Sequence, residues 1–214
     1  MLTHRLTQKI LLCTMYFLMY VFADFKIEGK EHAKSIKRGP VLIITNHKGL
    51  LDPPLIGLAF PFFSKIYPLR FITKDGFFKN FFSRMLFKSM GCFPAKQRGG
   101  LEESMKKPAE LLREGATVIF FPEGRIVNED AFGDIKLGVG VLALRFPEIP
   151  ILPVAIFGTN CVNGFNLFIN RPKIRMKVGK PFLLEEILQD EKDAKKISNI
   201  LMGEIRKMYE SISR

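Results

Sequence analysis

Short runs of apolar and β-branched residues recur along the chain and predict the strands of a β-sheet. Each run has the length of a buried strand and is too short for a typical helix. The fourth run contains Pro153, and because proline cannot donate a hydrogen bond to a sheet ladder, we expect an edge or bulged strand there. The five predicted strands are Val41–Thr45, Leu69–Thr73, Thr117–Phe121, Ile151–Phe157 and Ile174–Val178.

Segments with helical periodicity lie between and after these runs. Pro108 lies inside one of them and predicts a kink or a restart of that helix. The predicted helices are Pro53–Phe60, Phe77–Ser89, Leu101–Glu114, Lys136–Leu144 and a final amphipathic helix over residues 197–212. Because strands that alternate with helices are typical of an α/β fold, we expect a single domain over residues 26–214, with a mixed β-sheet flanked by helices. The polar, basic segment Phe25–Pro40 predicts a connector or a short edge strand.

The chain begins with a basic segment followed by Ile10–Phe22, an apolar or weakly polar run of 13 residues. A helix that spans a membrane needs about 20 such residues. Three interpretations fit this segment: a signal peptide cleaved after Ala23, a short spanning helix, or an uncleaved helix that lies in one leaflet.

The predicted helix Phe77–Ser89 has a wide aromatic face. Its apolar residues fall in pairs four positions apart, which places them on one side of a helix. Such a face is either part of the core or a contact with a membrane or an acyl chain, since the flanking cations suit both water and lipid headgroups. The face consists of Phe77, Phe78, Phe81, Phe82, Met85 and Leu86, and the cations are Lys79, Arg84 and Lys88.

Composition adds a preference for anionic partners. The 214 residues include 33 Lys and Arg against 21 Asp and Glu, which gives a net charge of +12. That balance favours nucleic acid or an acidic membrane surface. The three cysteines are widely spaced and match neither a disulfide framework nor the spacing of a metal site, so we expect a reducing compartment. Three histidines in the whole chain argue against a His-rich metal site.

The first candidate chemistry follows the strand Val41–Thr45. Asn46 and His47 come directly after it, and Asp52 follows one short loop later. A neutral imidazole can accept a proton near pH 7, and a carboxylate bonded to its other nitrogen would fix its tautomer. Gly49 allows the loop to turn tightly. The alternative is that Asp52 is a helix N-cap before two prolines and that His47 is an ordinary loop histidine.

Two further segments carry cations where a ligand could approach. The strand Thr117–Phe121 runs into Pro122-Glu123-Gly124-Arg125, which places charges at the edge of the sheet. The guanidinium of Arg125 has the geometry that binds phosphate, unless it simply pairs with Glu123 at the surface. Lys96 and Arg98 lie in the glycine-rich stretch 91–100, which predicts either a loop that approaches an anion or a solvated loop.

Together these segments resemble the glycerolipid acyltransferase family that includes 1-acylglycerol-3-phosphate acyltransferase. The four motifs of that family occur in its order across residues 41–158, although Gln97 stands where the family's second motif has arginine and Arg125 follows Gly124 with no threonine between them. The matching residues are Asn46-His47 with Asp52, Gly91-Cys92-Phe93-Pro94 with Lys96 and Arg98, Phe121-Pro122-Glu123-Gly124-Arg125, and Ile151-Leu152-Pro153-Val154.

The resemblance implies an activity and roles for these residues. It implies acyl transfer from acyl-CoA or acyl carrier protein to the free hydroxyl of a lysophospholipid, most simply 1-acylglycerol 3-phosphate, which yields phosphatidic acid in phospholipid biosynthesis. His47 would be the general base and Asp52 would orient it. No cofactor or metal would be needed beyond the thioester co-substrate. The residues implied to bind substrate are Lys96, Arg98, Glu123, Gly124 and Arg125.

The same resemblance implies a location. The acceptor lipid lies in a membrane and the thioester donor in the cytosol, so we expect the protein on the cytoplasmic face of the cell membrane. We therefore expect residues 1–25 to be a membrane-associating segment that precedes the acyltransferase domain.

Two alternatives to this activity remain at the level of the sequence. One is an acyltransferase for another acceptor, such as glycerol 3-phosphate or another lysolipid. The other is a non-catalytic basic protein on a membrane surface. We do not expect nucleic-acid binding, because the chain has neither an RNP-like nor a zinc-finger-like pattern.

Overall fold

The structure is a computed structural model that describes residues 2–95, 99–127, 131–162, 166–187 and 191–213, without the side chains of residues 2, 3 and 166. Its strands are β1 (Asp24–Glu28), β2 (Val41–Thr45), β3 (Leu69–Thr73), β4 (Cys92–Pro94), β5 (Thr117–Phe120), β6 (Ile151–Phe157) and β7 (Lys173–Val178). Its α-helices are α1 (Leu2–Phe22), α2 (Lys30–Ser35), α3 (Asp52–Gly57), α4 (Phe81–Ser89), α5 (Gly100–Arg113), α6 (Gly138–Arg145), α7 (Asn166–Asn170), α8 (Leu184–Ile187) and α9 (Ala194–Ile212).

The described strands form one sheet in the order β1-β7-β6-β2-β5-β3-β4. The five strands from β6 to β4 run parallel to one another. β7 pairs with β6 in the antiparallel direction, and β1 runs parallel to β7. The prediction of an α/β domain with a mixed sheet flanked by helices is therefore confirmed. Because the parallel strands share a direction, the chain segments that follow β2, β5, β3 and β4 all leave the same edge of the sheet.

Helices cover both faces of the sheet, which explains why β2 is apolar at every position. Val41 and Ile43 face one side, where the core includes residues of α1 and α3. Leu42 and Ile44 face the other side, where the core includes residues of α5, α6 and α9.

One face of α1 is packed on this domain. Leu12, Met15 and Met19 are buried, and the buried amide of Gln8 bonds both the N–H and the carbonyl of Leu69 in β3. The opposite face of α1 is exposed and largely apolar. Among the described residues, none of the helices has the length and apolar content that crossing a bilayer requires. The membrane association expected of residues 1–25 stays a prediction.

The aromatic face predicted over residues 77–86 is largely exposed, although Phe78 is partly buried and packs against the core. A short 3₁₀ helix covers Asp75–Phe78, and α4 begins only at Phe81, because the side chain of Asn80 caps it by accepting a hydrogen bond from Ser83 N. No residue of α4 is buried, and the side chain of Phe82 is 77% exposed. This finding excludes the core interpretation for Phe81, Phe82, Met85 and Leu86, whereas Phe87 of the same helix packs against the core.

Three other expectations need correction. β6 is an interior strand rather than an edge strand, because it pairs with β2 and β7. It tolerates Pro153 because the ladder to β7 begins only at Val154, while the proline carbonyl accepts from Gly179 N. Pro108 lies within the continuous helix α5, so the helix does not restart there, and the predicted kink stays a prediction. The sequence pattern also did not predict β4, and only the edge-strand alternative for the segment after Ala23 anticipated β1.

Candidate active site

His47 and Asp52 meet at the edge of the sheet where β2 ends. The Nδ1 atom of His47 lies 2.8 Å from Oδ2 of Asp52. The carboxylate is completely buried, whereas the imidazole keeps 17% of its surface exposed. Since the carboxylate faces Nδ1, the Nε2 atom of the ring is the one left for a reacting group. The predicted pairing of these two residues is confirmed by this geometry.

Three more donors hold the carboxylate of Asp52. Its Oδ2 atom accepts from the main-chain nitrogens of Lys48 at 2.6 Å and Gly49 at 2.8 Å. Its Oδ1 atom accepts from the hydroxyl of Thr159 at 2.6 Å. None of these donors is an N–H group of α3, so the N-cap interpretation of Asp52 is wrong. A buried carboxylate with this many donors has a fixed orientation, and it transmits that orientation to the imidazole.

Gly49 serves close packing as well as the turn. A Cβ atom at this position would lie 2.6 Å from the main-chain oxygen of Thr159, which is too close for any other residue without a shift of the backbone. The glycine therefore lets the loop after His47 lie directly against the segment that supplies the Thr159 hydroxyl.

Asn46 fixes the point at which the chain leaves β2. Its buried side chain donates to the carbonyl of Ile156 at 2.7 Å and accepts from Ile156 N at 2.9 Å. The amide thus continues the pairing of β2 with β6 after the main chain has turned away. The sequence motif includes Asn46, but nothing in the sequence indicated this role.

Glu123 supports the main chain around His47. Its Oε2 atom accepts from His47 N at 2.8 Å, and its Oε1 atom accepts from Gly133 N at 3.0 Å. The residue is only 1% exposed. Both oxygens are therefore engaged with N–H groups of the protein. The predicted contact of Glu123 with substrate stays a prediction that this geometry does not favour, and a surface pair with Arg125 is excluded by the burial of the carboxylate.

Further contacts hold His47 from the side of β5. The imidazole stacks on the ring of Phe121, with 4.1 Å between the ring centroids. The main-chain oxygen of His47 accepts from Val127 N at 2.8 Å. Since Phe121 follows β5 directly, the stacking fixes the imidazole relative to the neighbouring strand.

Lys48 is buried directly behind the imidazole loop. Its ammonium group donates to the main-chain oxygen of Ala131 and lies 4.9 Å from the ring centroid of Phe132 and 5.3 Å from that of Tyr209. A buried ammonium on aromatic faces is stabilised by the cation–π interaction. Lys48 thereby connects the loop after β2 to the segment that contains Gly133.

Two exposed cations lie at the turn that ends β5. Gly124 has a left-handed φ of 63°, and Arg125 follows it at the surface. The side chain of Lys136 lies across this turn, because a Cβ atom on Gly124 would be 3.4 Å from its Cγ. The predicted phosphate-binding residues Lys96 and Arg98 lie outside the described residues. No cluster of three or more metal-ligating side chains occurs among the residues that the structure describes.

Comparison with known families identifies the class of protein. A family model described as "Acyltransferase" matches residues 24–157, which is more than half of the chain. The chain belongs to the acyltransferase family. The matched range of this acyltransferase contains His47, Asp52, Glu123 and Arg125.

Two curated relatives from Arabidopsis thaliana are named for the transfer of acyl groups to lipids. The acyltransferase is 29% identical over 168 residues to the chloroplastic 1-acyl-sn-glycerol-3-phosphate acyltransferase LPAT1 of Arabidopsis thaliana. The aligned region covers 76% of this chain and 45% of the relative. It is 29% identical over 157 residues to the N-acylphosphatidylethanolamine synthase of Arabidopsis thaliana. This second alignment covers 66% of this chain and 55% of that relative. The chain therefore spans about half the length of these relatives.

A solved structure shares the fold of this acyltransferase. The 1-acyl-sn-glycerophosphate (LPA) acyltransferase PlsC from Thermotoga maritima superposes with a TM-score of 0.72 at 20% identity, covering 95% of this chain and 78% of that chain. At this identity the likeness shows a common fold.

For this acyltransferase, the sequence indicated the pairing of His47 with Asp52 but not the residues that support the pair. His47, Asp52 and Arg125 were predicted as functional residues, and the structure brings them to one edge of the sheet. Thr159 and Gly133 were not predicted, because each contributes a single common donor from a distant part of the chain.

Proposed function

We propose that this acyltransferase transfers an acyl group from a thioester to the free hydroxyl of 1-acylglycerol 3-phosphate and so produces phosphatidic acid. The observation that carries the proposal is the His47 imidazole, held by a buried carboxylate and left accessible at the edge of the sheet. The names of the LPAT1 relative and of the PlsC structure support this choice of acceptor.

The proposed reaction is a direct transfer with His47 as general base. The Nε2 atom takes the proton of the acceptor hydroxyl while its oxygen attacks the thioester carbonyl. The new C–O bond forms, the C–S bond breaks, and the imidazolium returns its proton to the departing thiolate. Asp52 holds the tautomer with the proton on Nδ1 and stabilises the imidazolium. No protein nucleophile takes part, and the thioester is a co-substrate.

In this proposal Glu123 is a positioning residue. A buried carboxylate that accepts from His47 N and Gly133 N sets the height of the imidazole above the sheet. Asn46 does the same from the side of β6 through its bonds to Ile156. Together they hold the base where a small displacement would be costly in rate.

The acceptor phosphate is proposed to lie on Arg125, an exposed guanidinium one turn away from the Phe121 ring that stacks on His47. A guanidinium can bind two phosphate oxygens at once. Lys96 or Arg98 is the additional cation that the family resemblance implies. Either acyl-CoA or acyl carrier protein fits as the thioester donor.

We also propose that the protein lies on the cytoplasmic face of a membrane. Four neighbouring segments expose large apolar side chains, which we call the apolar surface. Lys9 Nζ lies 4.8 Å from the ring centroid of Phe63, and the ring centroids of Phe22 and Phe168 are 4.8 Å apart. Since α1 also packs against α4, it contacts all three of the other segments. An exposed surface of this kind rimmed by cations fits an anionic leaflet. The apolar surface comprises Leu6, Ile10, Tyr16, Phe17, Tyr20, Val21, Phe62, Phe63, Phe81, Phe82, Met85, Leu86, Phe168 and Ile169.

The test is acyl transfer to a panel of lysolipids with both thioester donors, read as free thiol and new lipid. We expect 1-acylglycerol 3-phosphate to be the preferred acceptor. His47→Ala should lower the rate by roughly two to four orders of magnitude. His32→Ala is the matched control, because its Nδ1 bonds the carbonyl of Val178 at 3.0 Å, on the antiparallel side of the sheet. A folded His47→Ala protein with full activity would overturn the mechanism.

A second acceptor class follows from a relative. The N-acylphosphatidylethanolamine synthase shares 29% of aligned residues with this chain, and its name indicates an amine acceptor. The panel therefore includes phosphatidylethanolamine and lysophosphatidylethanolamine. Preference for either amine over every phosphate monoester would replace the proposed acceptor and leave the role of His47 intact.

A further inference from the structure

We propose that Lys136 is a second cation of the acceptor-phosphate site and binds the phosphate together with Arg125. This inference rests on the proposed function and deepens it by naming the residue that completes the site within the described part of the chain. The four motifs of the family resemblance do not include Lys136, which lies just before α6.

The main chain fixes Lys136 to the turn that ends β5. Its N–H group donates to the carbonyl of Pro122 at 2.8 Å, and Gly124 N donates to the carbonyl of Phe121 at 3.0 Å. The segment before α6 is thus attached to the same turn that carries Arg125. A rigid attachment at the main chain limits where the ammonium group can reach.

The side chain of Lys136 runs across Gly124. A Cβ atom at Gly124 would lie 3.4 Å from Cγ and 3.9 Å from Cε of the lysine. These distances are ordinary van der Waals contacts, so the glycine is favoured by its φ of 63°, a conformation that other residues rarely adopt. The turn therefore has the shape that admits the lysine stem beside the residue that precedes Arg125.

The neighbouring cation is held in a similar way. The Nε atom of Arg125 lies 3.8 Å from where a Cβ atom on Gly133 would be. Gly133 N in turn donates to Glu123, the carboxylate that also accepts from His47 N, so the Arg125 side chain lies close to that carboxylate. Both cations thus flank the turn that leads away from the imidazole.

Among the residues that the structure describes, no carboxylate pairs with the cations at this turn. Glu123, which precedes both cations in the sequence, is buried, and its two oxygens accept main-chain N–H groups. Within the described residues, neither Arg125 nor Lys136 forms an ion pair. Two exposed cations beside one glycine turn suit a phosphate monoester, which carries close to two negative charges at neutral pH. Arginine supplies a planar fork and lysine a compact point charge.

The position suits the chemistry of the acceptor. In 1-acylglycerol 3-phosphate the reacting hydroxyl and the phosphate ester lie on adjacent glycerol carbons. A phosphate held at the turn Phe121–Gly124 therefore brings the hydroxyl toward the ring that stacks on Phe121 at 4.1 Å. The phosphates of acyl-CoA share the same chemistry, so an experiment must separate acceptor from donor.

The experiment compares Lys136→Ala and Lys136→Arg with the unmodified protein, varying acceptor and donor concentrations in turn. For Lys136→Ala we expect KM for 1-acylglycerol 3-phosphate to rise about 10- to 100-fold, with kcat and the donor KM little changed. Lys136→Arg should keep most of the affinity. Any transfer to uncharged monoacylglycerol should be unaffected. Lys34→Ala, which removes an exposed lysine of α2, is the matched control.

Direct binding of glycerol 3-phosphate by calorimetry gives a result that does not need turnover. We expect the unmodified protein to bind it and Lys136→Ala to bind about tenfold or more weakly. A rise in donor KM alone would assign Lys136 to the phosphates of CoA and overturn the inference. Equal binding by both proteins, or no binding by either, would overturn it too. If the unmodified protein acylates no lysolipid, the proposed function fails, and the binding comparison still decides about Lys136.

Discussion

The carboxylate of Glu123 accepts a hydrogen bond from the main-chain nitrogen of His47 at 2.8 Å. Glu123 is 1% exposed, so it holds the loop after β2 from the buried side of the site. Its second oxygen accepts from Gly133 at 3.0 Å, so one buried carboxylate joins the loop after β2 to the segment before α6.

Glu123→Gln tests this positioning role. A glutamine can accept at one oxygen only, so one buried N–H group of His47 or Gly133 loses its partner. We expect kcat to fall about tenfold or more, KM for the acceptor to change little, and the free energy of unfolding to fall by about 1–3 kcal/mol. Steady-state kinetics and urea unfolding provide the measurement. A rise confined to the acceptor KM would instead indicate direct contact with substrate.

Asp52→Asn should be more damaging than its small change in shape suggests. Asparagine has one acceptor oxygen in place of two, whereas the carboxylate accepts from His47, Lys48, Gly49 and Thr159. We expect activity to fall by about two to four orders of magnitude, because the tautomer of the imidazole is no longer fixed. Thr159→Val removes one donor only and should cost about 1 kcal/mol of stability with a smaller loss of rate. Equal losses in the two variants would contradict this ranking.

Arg125→Ala should weaken binding of a phosphate-bearing acceptor, and Arg125→Lys should restore it only in part. The lysine keeps the charge and loses the bidentate fork, so we expect an intermediate KM. Kinetics with 1-acylglycerol 3-phosphate as the varied substrate provide the measurement. If neither variant changes that KM, the phosphate is bound elsewhere. Separate Lys96→Ala and Arg98→Ala variants would then identify the position.

The apolar surface should mediate membrane binding. Deletion of residues 1–24 is a poor test, because it also removes the buried side chains of Gln8, Leu12 and Met19 from the domain. Serine at both Phe81 and Phe82 is cleaner, since these rings are 70% and 77% exposed. We expect this variant to bind anionic vesicles at least about tenfold more weakly than the unmodified protein in flotation assays.

Salt and a control variant complete this membrane test. Residual binding should fall as ionic strength rises, because the contribution of surface cations is screened. Ile187→Ser removes an exposed apolar residue of α8 outside the apolar surface and should leave binding unchanged. Unchanged binding after substitution of both phenylalanines would exclude α4 as a membrane contact.

Alkaline pH should destabilise the protein in part through Cys92. Burial raises the pKa of this thiol to about 12 from an ordinary value of 9.0. Between these values the unfolded chain loses the thiol proton and the folded protein keeps it, so the free energy of unfolding falls as pH rises, by at most about 1.4 kcal/mol per pH unit. Burial also raises the pKa of Tyr67, which adds to the same trend. Urea unfolding across this range should show a smaller slope for Cys92→Ala, and an equal slope would contradict the assignment.

The strands could be predicted well because burial on both faces leaves an uninterrupted apolar run. The predicted bounds of β2, β3 and β6 agree with the structure residue for residue. β4 has only three residues at the edge of the sheet, and no pattern that short indicates a strand. The outward face of α4 could not be predicted, because an aromatic stripe has the same period whether it meets protein or lipid.

The pairing of His47 with Asp52 could be predicted, whereas the contacts that hold these two residues could not. His47 and Asp52 are close in the chain, so their spacing is visible in the sequence. Glu123 lies 76 residues from His47, and Thr159 lies 107 residues from Asp52. Such partners meet only through the order of strands in the sheet, which local periodicity does not specify.

The amide of Gln8 has a consequence for how the enzyme would reach its lipids. Because this side chain bonds Leu69 at both main-chain atoms, α1 is attached to the sheet at β3. If α1 lies in a leaflet, its immersion depth also sets the height of the His47 imidazole above the lipid headgroups. The reaction would then take place at a constant level in the interface, and acceptors would arrive by lateral diffusion within the leaflet.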